Sequence, residues 1–402
     1  MSVHPSLEVI GGALDSFLPG FTTLDRPYDA YPVICSNTHV ETIFANKLRS
    51  IPYVRFRREC LRMKDNGVVS LDWVSGDDPC LSKKSPILIL LAGLTGGSGE
   101  AYIKHMLLRA RNKGWRVVAF NSRGCGNSPV ITPKFYSASF TGDIGEVVAE
   151  LSSRYPDANL YAADEGFHKG FNKVYDKTLG ASLSKIFRRH ASLFEGIEGE
   201  YNIPAALNSK SVREFDDAFT RVSGGFKSVD DYYLKSSSSD SIKHVCTPLL
   251  CIQAANDPIA PNRGIPRQDI EDNPNCMLIV TPKGGHLAWV AGDEAPFGAS
   301  WTDPVNYMSF SVSGGFKSVD DYYLKSSSSD SIKHAANDPI APNRGIPRQD
   351  IEDNPNCMLI VTPKGGHLAW VAGDEAPFGA SWTDPVVMDF LEHLEKTKSN
   401  SF

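Results

Sequence analysis

The sequence predicts an α/β fold built on a mostly parallel β-sheet with flanking helices, and three observations support this class. Short apolar runs that are typical of buried strands alternate with amphipathic segments of helical period between residues 86 and 162. Because parallel strands are joined through helices, this β-helix-β-helix-β order favours a parallel sheet with right-handed crossovers. The 402 residues, 41% of them apolar, are also enough to bury a substantial core.

The first predicted elements form a β-hairpin. Strand-like residues 54–63 and 68–74 flank Asn66-Gly67, a dipeptide that signals a two-residue turn. Further strands are predicted at residues 86–91, 115–120 and 159–162, and helices at residues 100–113 and 141–154. The second of these helices has Thr141 in the N-cap position and apolar side chains on one face.

The pattern changes after this portion of the chain. Residues from about 164 to 241 are polar with helical spacing and contain no clear strand, which is typical of a helical cap inserted into an α/β domain. Strands return at residues 248–253 and 277–281, and an amphipathic helix at residues 386–396 closes the chain.

A nearly identical internal repeat occupies the C-terminal part of the chain. Residues 222–305 recur as residues 312–386, letter for letter, except that the second copy lacks residues 245–253. The missing block has the composition of a buried strand, so we expect only the first copy to complete the sheet. We also expect the identical strands at residues 277–281 and 358–362 to compete for one edge position.

Charge, cysteine content and hydropathy exclude several classes of protein. A net charge of −6 with interspersed signs makes nucleic acid an unexpected partner and disfavours anionic membrane surfaces. The eight cysteines are scattered without a Cys-x-x-Cys motif, which indicates reduced thiols and neither a disulfide framework nor a zinc site. Because no signal-peptide pattern and no membrane-spanning run occurs, we expect a cytoplasmic protein without an integral membrane segment. The sequence does not specify an oligomeric state.

Two glycine-rich segments follow predicted strands. The first contains Gly93, Leu94 and Thr95 and precedes a helix, so its backbone amides could approach an anionic group, although a plain flexible turn has equal weight. It lacks the Gly-Lys-Ser/Thr ending of a phosphate loop. The second, residues 121–126, is interpreted as a structural turn, because a reactive Cys125 would need a depressed pKa.

An acid and a base follow the next two strands. Asp257 comes after the strand at residues 248–253, and His286 comes after the strand at residues 277–281. In open α/β sheets the carboxyl ends of strands gather ligands, and the order Asp then His is that of the second half of a hydrolase triad. Taken alone, each of the two motifs is a common turn. Their places at consecutive strand ends favour the catalytic interpretation, and the repeat carries copies of both, Asp338 and His367.

Six motifs together resemble the AB hydrolase 4 group of the α/β-hydrolase superfamily, which includes plant embryogenesis-associated proteins and esterase and lipase relatives. The motifs are HVETIFA (39–45), GLTGGS (93–98), NSRGCG (121–126), FYSASFTGD (135–143), AANDPIAP (254–261) and GGHLAW (284–289). The resemblance implies a hydrolase sheet with a helical cap that acts on carboxylic esters, with acylglycerols and other lipid esters as substrates and no cofactor. By position it also implies that Asp257 is the triad acid, His286 the base and the Leu94 amide an oxyanion donor.

The chain departs from this family at the nucleophile. The family carries a Gly-x-Ser-x-Gly elbow after the strand that begins here at Asn159, and no such motif occurs anywhere in the chain. Ala162 instead leads directly into Ala163-Asp164, a segment that the family carries only after the elbow, its helix and the following strand. About forty residues are therefore missing, and we expect them to include the serine, half of the oxyanion hole and a central strand.

Three interpretations follow. The first is a serine-type ester hydrolase by descent that retains Asp257 and His286, and the second is a catalytically inactive binding or interaction protein with the same fold. The third is a mis-joined coding sequence, which the exact repeat also favours.

The sequence also predicts how the chain is organised. Residues 1–50 are an N-terminal extension, and residues 51–305 are a hydrolase domain with its cap at about 164–241. Residues 306–386 are a junction with the repeat, and residues 387–402 are a C-terminal helix and tail.

Overall fold

The described strands combine into a six-stranded mixed sheet, a four-stranded sheet and a separate pair. The computed structural model describes residues 8–11, 13–21, 24, 31, 34, 37–77, 80–137, 140–163, 173–197, 201–236, 239–255, 257, 266–281, 283, 289–291, 310–311, 357–360, 370–372, 388–389, 392–393 and 395–396. The strands are β1 (Glu8–Gly11), β2 (Phe56–Arg62), β3 (Val68–Val74), β4 (Ile87–Leu91), β5 (Arg116–Asn121), β6 (Leu160–Ala163), β7 (Leu249–Ala254), β8 (Cys276–Thr281), β9 (Trp289–Ala291), β10 (Phe310–Ser311), β11 (Cys357–Ile360) and β12 (Trp370–Ala372).

Helices cover the sheet and make up most of the described part of the segment between β6 and β7. They are α1 (Leu14–Phe17), α2 (Thr38–Lys47), α3 (Ala101–Asn112), α4 (Gly142–Arg154), α5 (Lys173–Phe187), α6 (Ile203–Leu207), α7 (Val212–Phe215), α8 (Arg221–Ser223), α9 (Val229–Lys235) and α10 (Arg267–Glu271). A π-helical turn at Asp216–Thr220 joins α7 to α8, and short 3₁₀ turns occur at Leu18–Gly20, Ala191–Phe194 and Ser239–His244. All elements assigned from α5 to the last of these turns are helical, as predicted for this stretch.

The six-stranded sheet has the order β10-β6-β4-β5-β3-β2. Its centre is parallel, because β4 pairs in parallel with both β5 and β6. The pairs β2–β3, β3–β5 and β10–β6 are antiparallel, so the sheet is mixed and only its middle matches the expected parallel arrangement. The strands and helices predicted for the first 163 residues all occur, with bounds shifted by one or two residues.

Both faces of the central strand are buried. Along β4, Leu88 and Leu90 belong to the core cluster under α3, whereas Ile87 and Ile89 belong to the cluster under α4. Each strand side chain points to the face opposite that of its neighbour, so a strand covered on both sides requires a continuous apolar run. This is the physical reason for the sequence pattern that identified the strand.

The hairpin between β2 and β3 differs from the predicted two-residue turn. The Met63 amide donates to the Gly67 carbonyl at 2.9 Å, and the Asn66 amide donates to the Met63 carbonyl at 2.9 Å, which leaves a three-residue loop. Asn66 has the positive φ of 63° in this loop. Gly67 serves another purpose, because a Cβ there would lie 2.2 Å from the Arg123 guanidinium. The prediction of a two-residue turn was wrong because a type I′ turn requires a positive φ at both central residues, and here Asn66 has one but Gly67 does not.

The four-stranded sheet has the order β11-β1-β8-β7 and joins the two copies of the repeat. Strands β8 and β11 have the same sequence and lie on opposite edges of β1, both antiparallel to it. Val9 faces Ile279 on one edge and its repeat copy, Ile360, on the other. The two copies therefore do not compete for one position, since β1 offers each of them an edge. Strands β9 and β12 likewise pair in parallel, each residue opposite its own copy.

The two larger sheets share one apolar core although they form no common hydrogen-bonded ladder in the described part of the chain. Leu250, Ile252 and Ile279 belong to the same cluster as the residues beneath α3. The predicted closing helix is described at residues 388–389, 392–393 and 395–396, which are helical. Its Glu395 carboxylate accepts hydrogen bonds from Tyr161 Oη at 2.6 Å and Asn159 Nδ2 at 2.7 Å. These bonds hold the end of the chain against β6.

Cys60, Cys80, Cys125 and Cys246 are free thiols in the described part of the chain. Among the described helices none has the length and apolar character that crossing a membrane requires.

Candidate active site

A parallel strand pair positions the candidate acid. Strands β7 and β8 run side by side in a continuous register from Leu249↔Cys276 to Ala254↔Thr281, and the Ala255 amide extends the ladder by donating to Thr281 O at 2.8 Å. Asp257 follows immediately, with 1% of its surface exposed. A buried carboxyl at the carboxyl end of a strand is in the place where α/β sheets collect functional groups.

The other members of the predicted acid–base sets fall outside the described residues. These residues are His286, which follows β8 by five positions, and the repeat copies Asp338 and His367. Because β8 is parallel to β7, the chain leaves both strands at the same edge of the sheet. The structure thus fixes the exit points of the Asp257 and His286 loops as neighbours.

The glycine-rich turn after β4 is a tight β-turn. The Gly96 amide donates to the Gly93 carbonyl at 2.9 Å, so Leu94 and Thr95 occupy the two central positions. Thr95 has φ of 66° while Leu94 has no positive φ, which is the type II pattern. Gly93 donates its own amide to Tyr102 Oη at 3.1 Å. Within the described part of the chain, the Leu94 and Thr95 amides have no hydrogen-bond acceptor.

Thr95 holds a strained conformation in this turn. Type II turns favour glycine or asparagine at the position that Thr95 occupies, because a branched side chain clashes with the backbone at positive φ. The strain costs about 1–3 kcal/mol and persists only where the surrounding structure enforces it. Such outliers concentrate at ligand-binding positions, and this one adjoins the candidate oxyanion donor, Leu94.

A buried polar network beneath the turn enforces this geometry. Asp72, on β3, accepts hydrogen bonds from Ser98 Oγ at 2.5 Å and from Asn121 Nδ2 at 3.0 Å. Arg58 clamps the same carboxylate with Nε to Oδ1 at 2.7 Å and Nη2 to Oδ2 at 2.6 Å, and this bonding raises the pKa of Arg58. The side-chain oxygen Asn121 Oδ1 accepts from the Ser98 backbone amide at 2.9 Å. The network therefore ties the end of the β4 turn to β3 and β5.

The same network excludes Ser98 as a substitute nucleophile. Its Oγ donates to a carboxylate that is already paired with Arg58, so among the described residues no unpaired base is placed to take its proton. Sequence reasoning placed Ser98 on the turn but missed Asp72 and Asn121. A signal did exist, because Ser70 and Asp72 are polar residues inside a strand whose every position is buried.

The second glycine-rich segment is structural, as interpreted from the sequence. Arg123 is buried and binds Asp143 with two hydrogen bonds of 2.7 and 2.6 Å and Asp65 with one of 2.8 Å. Burial raises the pKa of the Cys125 thiol to about 12, which keeps it protonated and unreactive. Gly126 touches Asn121, since a Cβ at that glycine would lie 1.9 Å from Asn121 Oδ1. The segment serves as a rigid support for the turn of Gly93–Gly96.

The sheet is interrupted where the nucleophile is expected. Strand β6 ends at Ala163, and its outer edge pairs with the two residues of β10. The next strand of the chain, β7, belongs to the other sheet. The turn after β4 and the acid after β7 therefore lie on sheets that form no common ladder in the described part of the chain.

Comparison with known proteins relates the chain to hydrolases, although no family model matches it. The chain is 54% identical over 343 positions to embryogenesis-associated protein EMB8 of Picea glauca, covering 74% of this chain and 75% of that protein. It is 30% identical over 304 positions to phospholipase ABHD3 of Homo sapiens, covering 65% and 74%. It is 29% identical over 263 positions to a monoacylglycerol lipase of Saccharomyces cerevisiae, covering 54% and 58%.

In two of these alignments, this chain has fewer residues than there are aligned positions, by a similar number each time. The alignment with EMB8 runs over 343 positions, but 74% of 402 residues is about 297, so roughly 46 positions stand opposite gaps. For human ABHD3 the corresponding shortage is about 43 positions, since 65% of this chain is about 261 residues. With 54% identity over three quarters of EMB8 and an α/β architecture, the chain belongs to the α/β-hydrolase family that includes embryogenesis-associated protein EMB8.

Proposed function

We propose that the chain is by descent a lipase- or esterase-type hydrolase, which retains the acid and base of a Ser-His-Asp triad, Asp257 and His286, but lacks the serine. In this form it does not hydrolyse esters. The observation that carries the proposal is the parallel β7–β8 pair, which buries Asp257 at the end of one strand and starts the His286 loop at the end of its neighbour. In such triads the carboxylate holds the histidine in the tautomer that accepts the serine proton.

The turn after β4 supports the oxyanion role of Leu94. Its amide has no acceptor among the described residues, and the Asp72 network holds the turn in place against the strain at Thr95. A preorganised amide of this kind stabilises the negative charge that develops on an ester carbonyl during attack. One amide alone is half of an oxyanion hole, and the other half follows the nucleophile in this fold.

Three facts support the absence of the nucleophile. No Gly-x-Ser-x-Gly motif occurs in the sequence. The alignments leave roughly 43–46 positions of the relatives without a counterpart, which is about the size of an elbow, its helix and one further strand. A missing strand between β6 and β7 also accounts for the division into two sheets, because β7 then has no neighbour through which to join β6.

The substrates we propose are carboxylic esters of lipids, such as phospholipids and acylglycerols, since relatives carry the names phospholipase and monoacylglycerol lipase. The chemistry of a triad needs no cofactor. We assign the site to Asp257 and His286 and not to Asp338 and His367, because the second copy lacks five of the six residues that form β7.

The experiment compares the chain with a restored form. In the restored form, the segment of EMB8 that is missing here is inserted between Ala162 and Ala163. A matched control carries the same insertion with alanine in place of the elbow serine. Hydrolysis of p-nitrophenyl butyrate and labelling by a fluorophosphonate probe are measured for all three proteins.

We expect the original chain and the alanine control to remain unlabelled and the restored chain to be labelled. The restored chain should hydrolyse the ester about 10⁴-fold faster than the control, and Asp257→Asn in the restored chain should remove most of that gain. Labelling of a serine in the original chain would contradict the absence of a nucleophile. An Asp257→Asn variant with undiminished kcat would contradict the assignment of the acid.

A further inference from the structure

Phe135 takes no part in the chemistry of a triad, although it opens the FYSASFTGD motif (135–143). It follows β5 in the chain, yet its side chain is 3% exposed in an apolar cluster that consists mostly of cap residues. We call this cluster the cap core. Its described buried members are nine side chains between Leu183 and Phe219, together with Val130 and Phe135. The cap core therefore includes side chains from outside the cap.

Phe135 packs edge-on against two aromatic rings of the cap core. Its ring centroid lies 5.8 Å from that of Phe187, at an interplanar angle of 73°, and 6.1 Å from that of Phe219, at 80°. Edge-to-face pairs at these distances are a favourable arrangement of aromatic rings. The same ring adjoins Gly124, because a Cβ at Gly124 would lie 2.3 Å from Phe135 Cε2. Phe135 thus joins the cap to the glycine-rich segment at residues 121–126.

The β4 turn contacts the cap core by two routes. The Leu94 side chain packs directly against the cluster. The second route passes through residues 121–126, since a Cβ at Gly97 would lie 2.4 Å from Gly126 Cα. The cap core therefore supports the turn in addition to the Asp72 network.

The packing of Leu94 bears on the strain at Thr95. Type I and type II turns differ by a rotation of the peptide group between their two central residues, which here are Leu94 and Thr95. That rotation would relieve the positive φ of 66° at Thr95, and the Thr95 amide would then point in another direction. Such strain persists only where surrounding contacts enforce it, and the contact of Leu94 with the cap core is one of them.

We propose that Phe135 is a positioning residue, which seats the cap core against Leu94 and so keeps the amides of the β4 turn in the direction that an oxyanion requires. The oxyanion role rests on the proposed function, but the coupling between cap and turn does not. Removal of the Phe135 ring creates a cavity in the cap core beside Gly124. The cap core can then shift relative to Leu94, and the turn is held less firmly.

The first test measures hydrogen–deuterium exchange in the full chain and requires no hydrolysis. The backbone amides of Gly93, Gly96 and Ser98 are hydrogen-bonded, so their exchange reports opening of the turn. Phe135→Ala is compared with the matched control Phe194→Ala, because Phe194 is a buried ring of the cap core that belongs to the cap itself. Circular dichroism verifies that the variants are folded.

We expect Phe135→Ala to raise the exchange rate of the turn amides at least about tenfold, whereas Phe194→Ala should raise exchange in the cap and change the turn by less than about twofold. Equal turn exchange in the two variants, or no change in Phe135→Ala, would overturn the proposal. Leu94→Ala removes a half-buried side chain and decides the matter if Phe135→Ala does not fold. It should raise turn exchange about threefold or more, and an unchanged rate would refute the coupling.

The second test uses the restored form. Phe135→Ala should lower kcat for p-nitrophenyl butyrate about tenfold and change KM by less than about twofold, because oxyanion donors act mainly in the transition state. Phe135→Leu, which refills much of the apolar volume, should recover most of the loss. A raised KM with unchanged kcat would contradict the positioning role. If the restored chain is inactive, the proposed function fails, while the exchange rates still decide whether cap and turn are coupled.

Discussion

Asp72 joins three side chains beneath the β4 turn, and Asp72→Asn tests whether it holds the site together. The carboxylate accepts two hydrogen bonds from Arg58, one from Ser98 and one from Asn121, and its side chain is 3% exposed. Asparagine has nearly the same size and shape, so the substitution changes charge and hydrogen bonding but leaves the packing. An Asn side chain offers one acceptor and must direct an NH₂ group toward another donor.

The expected loss of stability follows from these contacts. Leaving a buried donor without an acceptor costs about 1–3 kcal/mol. Breaking the ion pair between Arg58 and Asp72 costs less than the roughly 3–5 kcal/mol typical of a fully buried pair. The Arg58 side chain is 33% exposed, so water can solvate its charge once the carboxylate is gone. We therefore expect Asp72→Asn to lower the free energy of unfolding by about 3 kcal/mol.

The assay is urea unfolding followed by tryptophan fluorescence, with Asp77→Asn as the matched control. Asp77 is also a nearly buried aspartate, but in the described part of the chain its carboxylate accepts a single side-chain bond, from Arg111 at 2.7 Å. Because Arg111 is largely exposed, this control should cost about 1 kcal/mol or less. Equal losses for the two variants would refute the reasoning, since the network would then contribute no more than one peripheral ion pair.

Two further predictions concern pH and backbone packing. Burial raises the pKa of Asp216 to about 6 although Tyr233 donates a hydrogen bond to it at 2.8 Å. The folded state therefore holds this proton more tightly than the unfolded state, so the free energy of unfolding should fall by roughly 3 kcal/mol as pH rises from about 4 to above 6. Asp216→Asn should flatten this part of a pH series of urea titrations, and an unchanged slope would contradict the assignment. Gly126→Ala should destabilise by about 2 kcal/mol or more through collision with Asn121, whereas Gly99→Ala, which meets no atom within 4 Å, should have little effect on the melting temperature. Similar melting temperatures for the two alanine variants would show that the loops do not touch as described.

The sequence was sufficient for the local elements and for the family. The run Ile87–Leu91 identified a strand because burial on both faces leaves no polar position, and the spacing of Tyr102, Ile103, Met106 and Leu107 identified α3 because helical periodicity places them on one face. The same reasoning located β7 and β8 and hence the acid Asp257. These features depend on which side of an element is buried, and a sequence records that directly.

The tertiary structure alone decided the rest, because partners distant in sequence leave no periodic trace. Gly67 looked like a turn residue, but its position is explained by Arg123, 56 positions later. The anchoring of the β4 turn by Asp72 depends on a contact between strands that the pattern of neither strand reveals. The placement of β8 and β11 on opposite edges of β1 was unpredictable for the same reason, since two identical strands have identical preferences and only the available edges distinguish them. The sequence by itself thus determined what each segment becomes and which residues could form a triad. Only the tertiary structure determined which strand edges pair. It places β6 and β7 on separate sheets, because a strand can pair only with a strand that lies beside it in the fold.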